Sequence, residues 1–250
     1  MRSRKSANAP AKTSAQKTAA RKKSPQKRNA DVTRAKILQA ALSEFGERGL
    51  PAVSTDDIAE RCGVNKRMIY YYFGSKEGLY LAALESVFEN LVARERDINI
   101  EHLEPAAAIE AIINLKIDYY LENPRFISFI SMENFYKACH LRKSSKLGMF
   151  KSTLTDVVAR ILKRGQSSGQ FRQDVEPVDF YVSLCALCIM YFSNQHTLGV
   201  IFGREMMTRP NIERRRRTVI DFVLRYLQMP DAIELPATPR KAGRLASLIS

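Results

Sequence analysis

Asn65, Lys66, Arg67 and Met68 open a short stretch in which Ile69, Tyr72 and Phe73 fall on one helical face. That phasing turns the pairs Lys66/Tyr70 and Arg67/Tyr71 outward on the same helix. Asn and Arg side chains can make paired hydrogen bonds to purine edges, and a helix that reads DNA does so from its N-terminal residues. The chemistry on offer is therefore recognition of double-stranded DNA. Other chemistries have little to work with. The three histidines, His102, His140 and His196, fit no metal-binding spacing, and no glycine-rich phosphate loop or nucleophile elbow occurs. No catalytic residue, cofactor or metal ligand is expected. Cys185-Ala-Leu-Cys188 has C-x-x-C spacing, but it stands in an apolar helical run without a second pair. It reads as two small hydrophobic residues one helical turn apart.

The elements around this stretch are those a helix-turn-helix needs. Ile37, Leu38, Ala41, Leu42 and Phe45 mark a first helix capped at Asp31 or Thr33 and ended by Gly49 and Pro51. A second starts at Ser54, with Asp57 near its positive end. Ala59 is small where two helices must approach, and Gly63 sits where a tight turn requires positive φ. Ile69 would seat the third helix, which runs from Asn65 to Phe73, on the second, with Ile58 and Val64 completing a small core. After Gly74-Ser75 a long helix begins near Lys76 and carries Leu79, Ala83, Leu84, Val87, Phe88 and Leu91.

Charge supports a polyanionic partner. The net charge is +14, but ten of the 40 basic residues and none of the 26 acidic ones precede Asp31. Residues 31–250 thus carry only +4. The segment 1–30 is rich in Ala, Ser, Lys and Thr, and it is expected to be a disordered basic tail that favours nucleic acid. It lacks the apolar segment of a secretory signal. The longest apolar run, Tyr181 to Phe192, is too short for the ~20 residues of a membrane span. No membrane partner is expected, and the protein is placed in the cytoplasm, associated with the nucleoid.

Beyond the fourth helix every periodic segment is helical, at about Pro105–Glu122, Pro124–Tyr136, Ser144–Lys163, Pro177–Leu198 and Pro210–Gln228. The architecture expected is all-α: a helix-turn-helix domain over 31–78, a larger helical domain over 79–229, and a mobile tail over 230–250. In the last two helices Tyr181, Val182, Cys185, Leu187, Cys188, Met190 and Phe192, and then Val219, Ile220, Phe222, Val223, Tyr226 and Leu227, cover much of the circumference. One apolar stripe suffices for a surface helix, so the excess implies a second buried face, as in a homodimer built on a four-helix bundle. The run Arg214–Arg217 reads as a solvated face or interface rim.

The run FGERGLPAVSTDDIAERCGVNKRMIYYYFGSKEGLYLAAL, within Ile37 to Leu84, resembles the N-terminal domain of the TetR repressor family. Tyr70-Tyr71-Tyr72-Phe73 and Ser75-Lys76-Glu77-Gly78-Leu79 match that family's signature, and they cover about a fifth of the chain. Where the family often carries a small pair after the lysine, this chain has Arg67-Met68. The resemblance implies phosphate contacts from Thr55 and Lys76 and groove or backbone contacts from Tyr70 and Tyr71. Arg34 would touch phosphate from the first helix, beside Asn65, Lys66, Arg67 and Met68 at the bases. It also implies a ligand-binding and dimerisation domain after the DNA-binding one, and hence a repressor that a small-molecule effector releases from its operator. The stretch IDYYLENPRFISFISMENFYKACHLRKS is similar to one branch of the family. Its Tyr119, Phe126 and Phe135, with Arg125, Asn134, His140 and the more distant Cys188, are the candidate ligand residues. Core packing accounts for the aromatics equally well. The alternative function is a DNA-organising protein with no inducer, to which the basic tail would lend non-specific affinity.

Overall fold

The computed structural model describes residues 25–228, and among them every regular element is helical. Most of the segment read as a basic tail, and the tail after Gln228, lie outside the described residues. Helix α1 (Pro25–Ala52) starts at a proline, which suits a first helical turn, six residues before the Asp31 cap expected from sequence. Gln, Lys, Arg and Ala extend it without penalty, and the Thr33 hydroxyl donates to Asn29 O within the helix instead of capping it. The helix kinks at Gly49, where φ is 77°. A side chain there would also collide with Met132, whose Cε lies 2.6 Å from the Cβ position. Helix α2 (Thr55–Cys62) opens on a reciprocal cap: Ser54 Oγ accepts from Asp57 N and Ser54 N donates to the Asp57 carboxylate. It closes at Gly63, in the left-handed region at φ 65°. Helices α3 (Lys66–Phe73) and α4 (Lys76–Asp97) follow after similarly short connections.

Six further helices complete the chain: α5 (Pro105–Glu122), α6 (Pro124–Phe135), α7 (Leu147–Ser167), α8 (Pro177–Ser193), α9 (Gln195–Phe202) and α10 (Arg209–Gln228). A single 3-10 turn, Leu141–Lys143, lies between α6 and α7. Among the boundaries that differ from the periodicity, two have a visible cause. Helix α7 starts at Leu147, because the Ser144 hydroxyl is held by Glu85 and itself accepts from Lys146 N. The apolar run expected to reach Leu198 breaks at Asn194, whose amide side chain donates to Met190 O, and α9 leaves α8 at 68°. No single helix among the described residues is long and apolar enough to cross a membrane.

Two cores result. The smaller joins Ile37, Ala41, Phe45, Ile58, Ala59, Ile69, Leu79, Ala83 and Leu84, so α1 to α4 pack as one unit. The larger is built on Ile109, Ile112, Ile113, Ile117, Val158, Ile161, Leu184, Cys188, Val219 and Val223. Helix α4, about 33 Å long for its 22 residues, runs from one core into the other. Phe129 of α6 belongs to the smaller core, so α6 is the element of the larger region that buries a side chain beneath the DNA-reading unit.

Candidate nucleic-acid interface

Helix α3 is positioned from both sides. Ile69 is fully buried against α2, and Met68, Tyr72 and Phe73 pack around the same core. On the α4 side, a Cβ on Gly78 would stand 2.2 Å from Phe73 O, so the missing side chain lets the end of α3 lie directly on the first turn of α4. Ser75 caps that turn by accepting from Gly78 N. The N-termini of α2, α3 and α4 are thus closed by Ser54, Asn65 and Ser75. Each leaves unpaired N–H groups and a partial positive charge suited to phosphate.

The candidate DNA-contacting residues separate into three kinds. Arg67 and Tyr71 are exposed, Tyr71 by 77%, and Lys76 is half-buried at the first position of α4. These stand ready for a ligand. Lys66 and Arg34 are committed elsewhere: Lys66 Nζ lies 2.6 Å from Asp56, and the Arg34 guanidinium stacks 5.0 Å from the Phe73 ring centre. The Asp56 hydrogen bond raises the Lys66 ammonium above its ordinary value. The third kind is structural. Thr55 is buried with its hydroxyl 3.3 Å from the Tyr70 hydroxyl, Met68 leans into the core, and Asn65 Oδ1 accepts from Arg67 N as the cap of α3. Asn65 keeps its amide nitrogen available, while one acceptor site of its oxygen is taken by the cap.

A second, unforeseen element ties the unit together. Buried Glu44 of α1 accepts from Arg61 of α2 at 2.7 Å and from Arg48 at 2.9 Å. These contacts, Arg61 foremost, hold its carboxyl below the usual range against the opposing effect of burial. The i,i+4 spacing of Glu44 and Arg48 is visible in sequence; the partnership with Arg61 is not.

The candidate ligand residues do not meet in one place. Tyr119, Arg125 and Phe126 line a cleft of about 670 Å³ between α1, α4 and the α5–α6 corner, together with Gln39, Leu42, Glu47, Asn90 and Asn123. Arg125 crosses to α1, passing over Gly46 and reaching Glu47 at 3.4 Å; a Cβ on Gly46 would stand 2.9 Å from the Arg125 stem. Asn134 bonds its own helix at Ile130 O, Phe135 is exposed, and His140 is buried with Nδ1 2.7 Å from Glu133, all at the other end of α6. Cys188 is wholly inside the larger core, where burial pushes its thiol up to about 12. That is the environment of a packing residue, not a reactive thiol.

Sequence reasoning also passed over a buried polar cluster. Lys116 of α5 donates to Glu95 of α4 and, at 3.0 Å, to the Tyr181 hydroxyl of α8, with both charged groups inaccessible. Desolvation opposes the charge on Lys116, but its surroundings, the Glu95 carboxylate among them, outweigh this and raise the ammonium well above its ordinary value. A signal was present: Lys116 falls on the face of Ile109, Ile112 and Ile113, where a lysine needs a partner. The arginine run is likewise more structural than expected. Arg215 donates to Leu187 O and Arg216 to Asn114 and Asp118, clamping α10 to α8 and α5, while Arg214 and Arg217 are exposed.

Comparison with known proteins agrees with this geometry. Residues 37–83 match the family described as bacterial regulatory proteins, tetR family, and residues 105–223 match the tetracyclin repressor-like C-terminal domain. The chain is 34% identical over 170 residues to the HTH-type transcriptional repressor NicS of Pseudomonas putida, covering 68% of this chain and 80% of that protein. It is 36% identical over 97 residues to the HTH-type transcriptional regulator RutR of Escherichia coli, covering 39% of this chain and 45% of that one. Among solved structures, a regulatory protein of the tetR family from Rhodococcus RHA1 superposes with a TM-score of 0.61 at 16% identity. It covers 80% of this chain and 98% of its own.

Proposed function

This chain belongs to the TetR family of bacterial regulatory proteins, and from that premise we propose that it represses transcription as a homodimer on a two-fold operator and lets go when a small molecule binds. It is a DNA-binding regulator with an N-terminal helix-turn-helix. The observation that carries the fuller reading is a pair of exposed faces. One is the outer side of α3, with Arg67 and Tyr71. The other is apolar: Val178, Val182 and Met190 of α8 and Phe222 and Tyr226 of α10 are each at least 43% exposed, on helices whose opposite sides fill the larger core. A second copy seated on that face pairs two α8–α10 hairpins into a four-helix bundle. Each dimer then presents two recognition helices to successive major-groove faces, roughly 34–36 Å apart.

The cleft lined by Tyr119, Arg125 and Phe126 is the place for the effector. It lies between α1 of the DNA-reading unit and the α5–α6 corner, so a molecule that fits one separation of these helices better than another shifts the balance between DNA-bound and released forms. Its walls pair aromatic faces with amide and charged groups, which suits a small polar molecule with a flat apolar part. The work is done on DNA, in the cytoplasm at the nucleoid.

Footprinting against excess genomic DNA tests the reading. A repressor protects a short two-fold site, and a metabolite that raises the thermal stability of the free protein removes that protection. Protection that spreads without a site, unmoved by any such metabolite, would support a DNA-organising protein instead.

A further inference from the structure

We propose that the connection between α6 and α7 is a second DNA-contacting surface, gripping phosphates that flank the operator half-site through Lys137, Arg142 and Lys143. The inference rests on the DNA-binding reading of α3 and extends it to the larger domain.

Position is the first ground. The connection is pinned beside the start of α4, and the end of α6 that leads into it runs along the end of α1. Its His140 ring packs 4.8 Å from the ring of Tyr80, about one turn along α4 from Lys76, and Leu141 packs against the smaller core. Just before it, Phe135 and Tyr136 share a groove with Arg48, Gly49, Pro51 and Ala52, the residues that lead into the cap of α2.

Rigidity is the second. The buried Glu133 carboxylate takes His140 Nδ1 at 2.7 Å and Leu141 N at 3.0 Å, Ala138 N donates back to Glu133 O at 2.7 Å, and Ser144 Oγ donates to Glu85 at 2.6 Å. Lys137 and Ala138 are both left-handed, at φ 53° and 57°, a conformation non-glycine residues hold when the surroundings enforce it. The turn is therefore shaped, not slack.

Charge is the third. Lys137, Arg142 and Lys143 are exposed, and none has an ion pair among the described residues. Of the acidic groups close by, Glu133 is buried on His140, Glu85 and Glu89 hold Lys146, and Glu77, within electrostatic reach of His140, is hydrogen-bonded to Ser75. Three unneutralised cations on a fixed turn beside a DNA-facing rim suit the backbone of the same duplex, with no base preference of their own.

The test uses the full chain and a duplex that the wild-type protein selects from a random pool, made in one version with long flanks and one trimmed to the half-sites. Lys137→Gln, Arg142→Gln and Lys143→Gln are combined, a change that removes charge with little change of shape; thermal unfolding and oligomeric state are checked alongside. On the long duplex, the slope of log affinity against log salt should shrink by about 0.9 for each phosphate that a protomer no longer neutralises. The preferred base sequence should not change, and the trimmed duplex should bind both proteins alike. Equal slopes on the long duplex overturn the proposal, as does a difference that persists on the trimmed one. Failure of the underlying reading looks different: the wild-type protein would then select no sequence from the pool, or Arg67→Ala would leave selection untouched.

Discussion

Between Ile37 and Leu84, Glu44 is the sole buried charge among the described residues, whereas the larger region buries Glu95, Lys116 and Glu133 and sets His140 beside the last of these. The DNA-reading end keeps most of its charged groups at the surface and is assembled from caps and a small apolar core drawn mainly from residues 37–84. The larger region instead joins distant helices through desolvated polar groups: Lys116 meets a carboxylate 21 residues before it and a phenol 65 residues after it. A surface that must meet a polyanion needs cations free to exchange counterions for phosphates. A region that must hold α4, α5 and α8 in one arrangement gains from contacts that fail if any partner shifts. The two halves therefore differ in what a single substitution should do.

The largest effect belongs to the buried pair. Lys116→Met leaves the Glu95 carboxylate buried without its counter-charge and should lower stability by about 3–5 kcal/mol in denaturant unfolding. Adding Glu95→Leu should restore much of it, since two apolar groups need no partner. A loss well under 1 kcal/mol for Lys116→Met would erase the contrast between the two ends of the molecule.

Gly78→Ala should cost about 1–3 kcal/mol, the usual range for overpacking, because the added carbon meets the backbone carbonyl of Phe73 and not a side chain able to move aside. The damage should fall on the seat of α3, so operator affinity drops further than global stability. Proportional losses in both would count against a local effect.

Arg67→Ala should do the reverse. With an exposed side chain outside any core, it should leave the unfolding midpoint in place while removing roughly 1–3 kcal/mol of discrimination between operator and altered sites, read by competition binding.

Smaller still, Ser54→Ala removes the cap of α2 and should cost about 1 kcal/mol, confined to the DNA-reading end.

Acid sharpens the comparison with the least perturbation. Glu44 has its carboxyl held below the usual range by Arg61 and Arg48, so it contributes stability above the ordinary carboxylate range that is lost as pH falls through its folded value. Lys116 has the opposite sense: its raised ammonium contributes at neutral pH, and its own titration removes that contribution as pH rises into strong alkali. Loss of the Glu44 contribution in acid should be seen as earlier amide exchange over α1 and α2, and Glu44→Gln should flatten that pH dependence.

Much of the DNA-reading end was legible because its determinants are local. Ser54, Gly63, Asn65 and Ser75 act on backbone groups within a few residues, and Ala59, Ile58 and Ile69 meet across one tight turn. Helix phasing alone still misses part of what Asn65 and Met68 do: it does not reveal that the first is needed as a cap or that the second bends toward the core. The candidate ligand residues were legible as types but not as a site. Tyr119 and Phe126 reach the cleft, while Cys188 goes to the core and His140 to Glu133, because which helix faces which is set by packing between elements far apart in the chain.

By itself the amino-acid sequence determined the all-helical class, the four helices of the DNA-reading end with the Ser54 cap of α2, and the surplus of apolar surface on α8 and α10. All of these follow from backbone propensity and side-chain period, which are properties of short windows. Tertiary structure alone decided that Lys116 is paired and buried, that Phe129 and Met132 of α6 lock onto α1 and its kink, and that the α6–α7 connection comes to rest beside the first turns of α4. Each of these depends on a partner from another element. A buried charge or a shared core is a property of the pair and its environment, and no window around either residue contains the other.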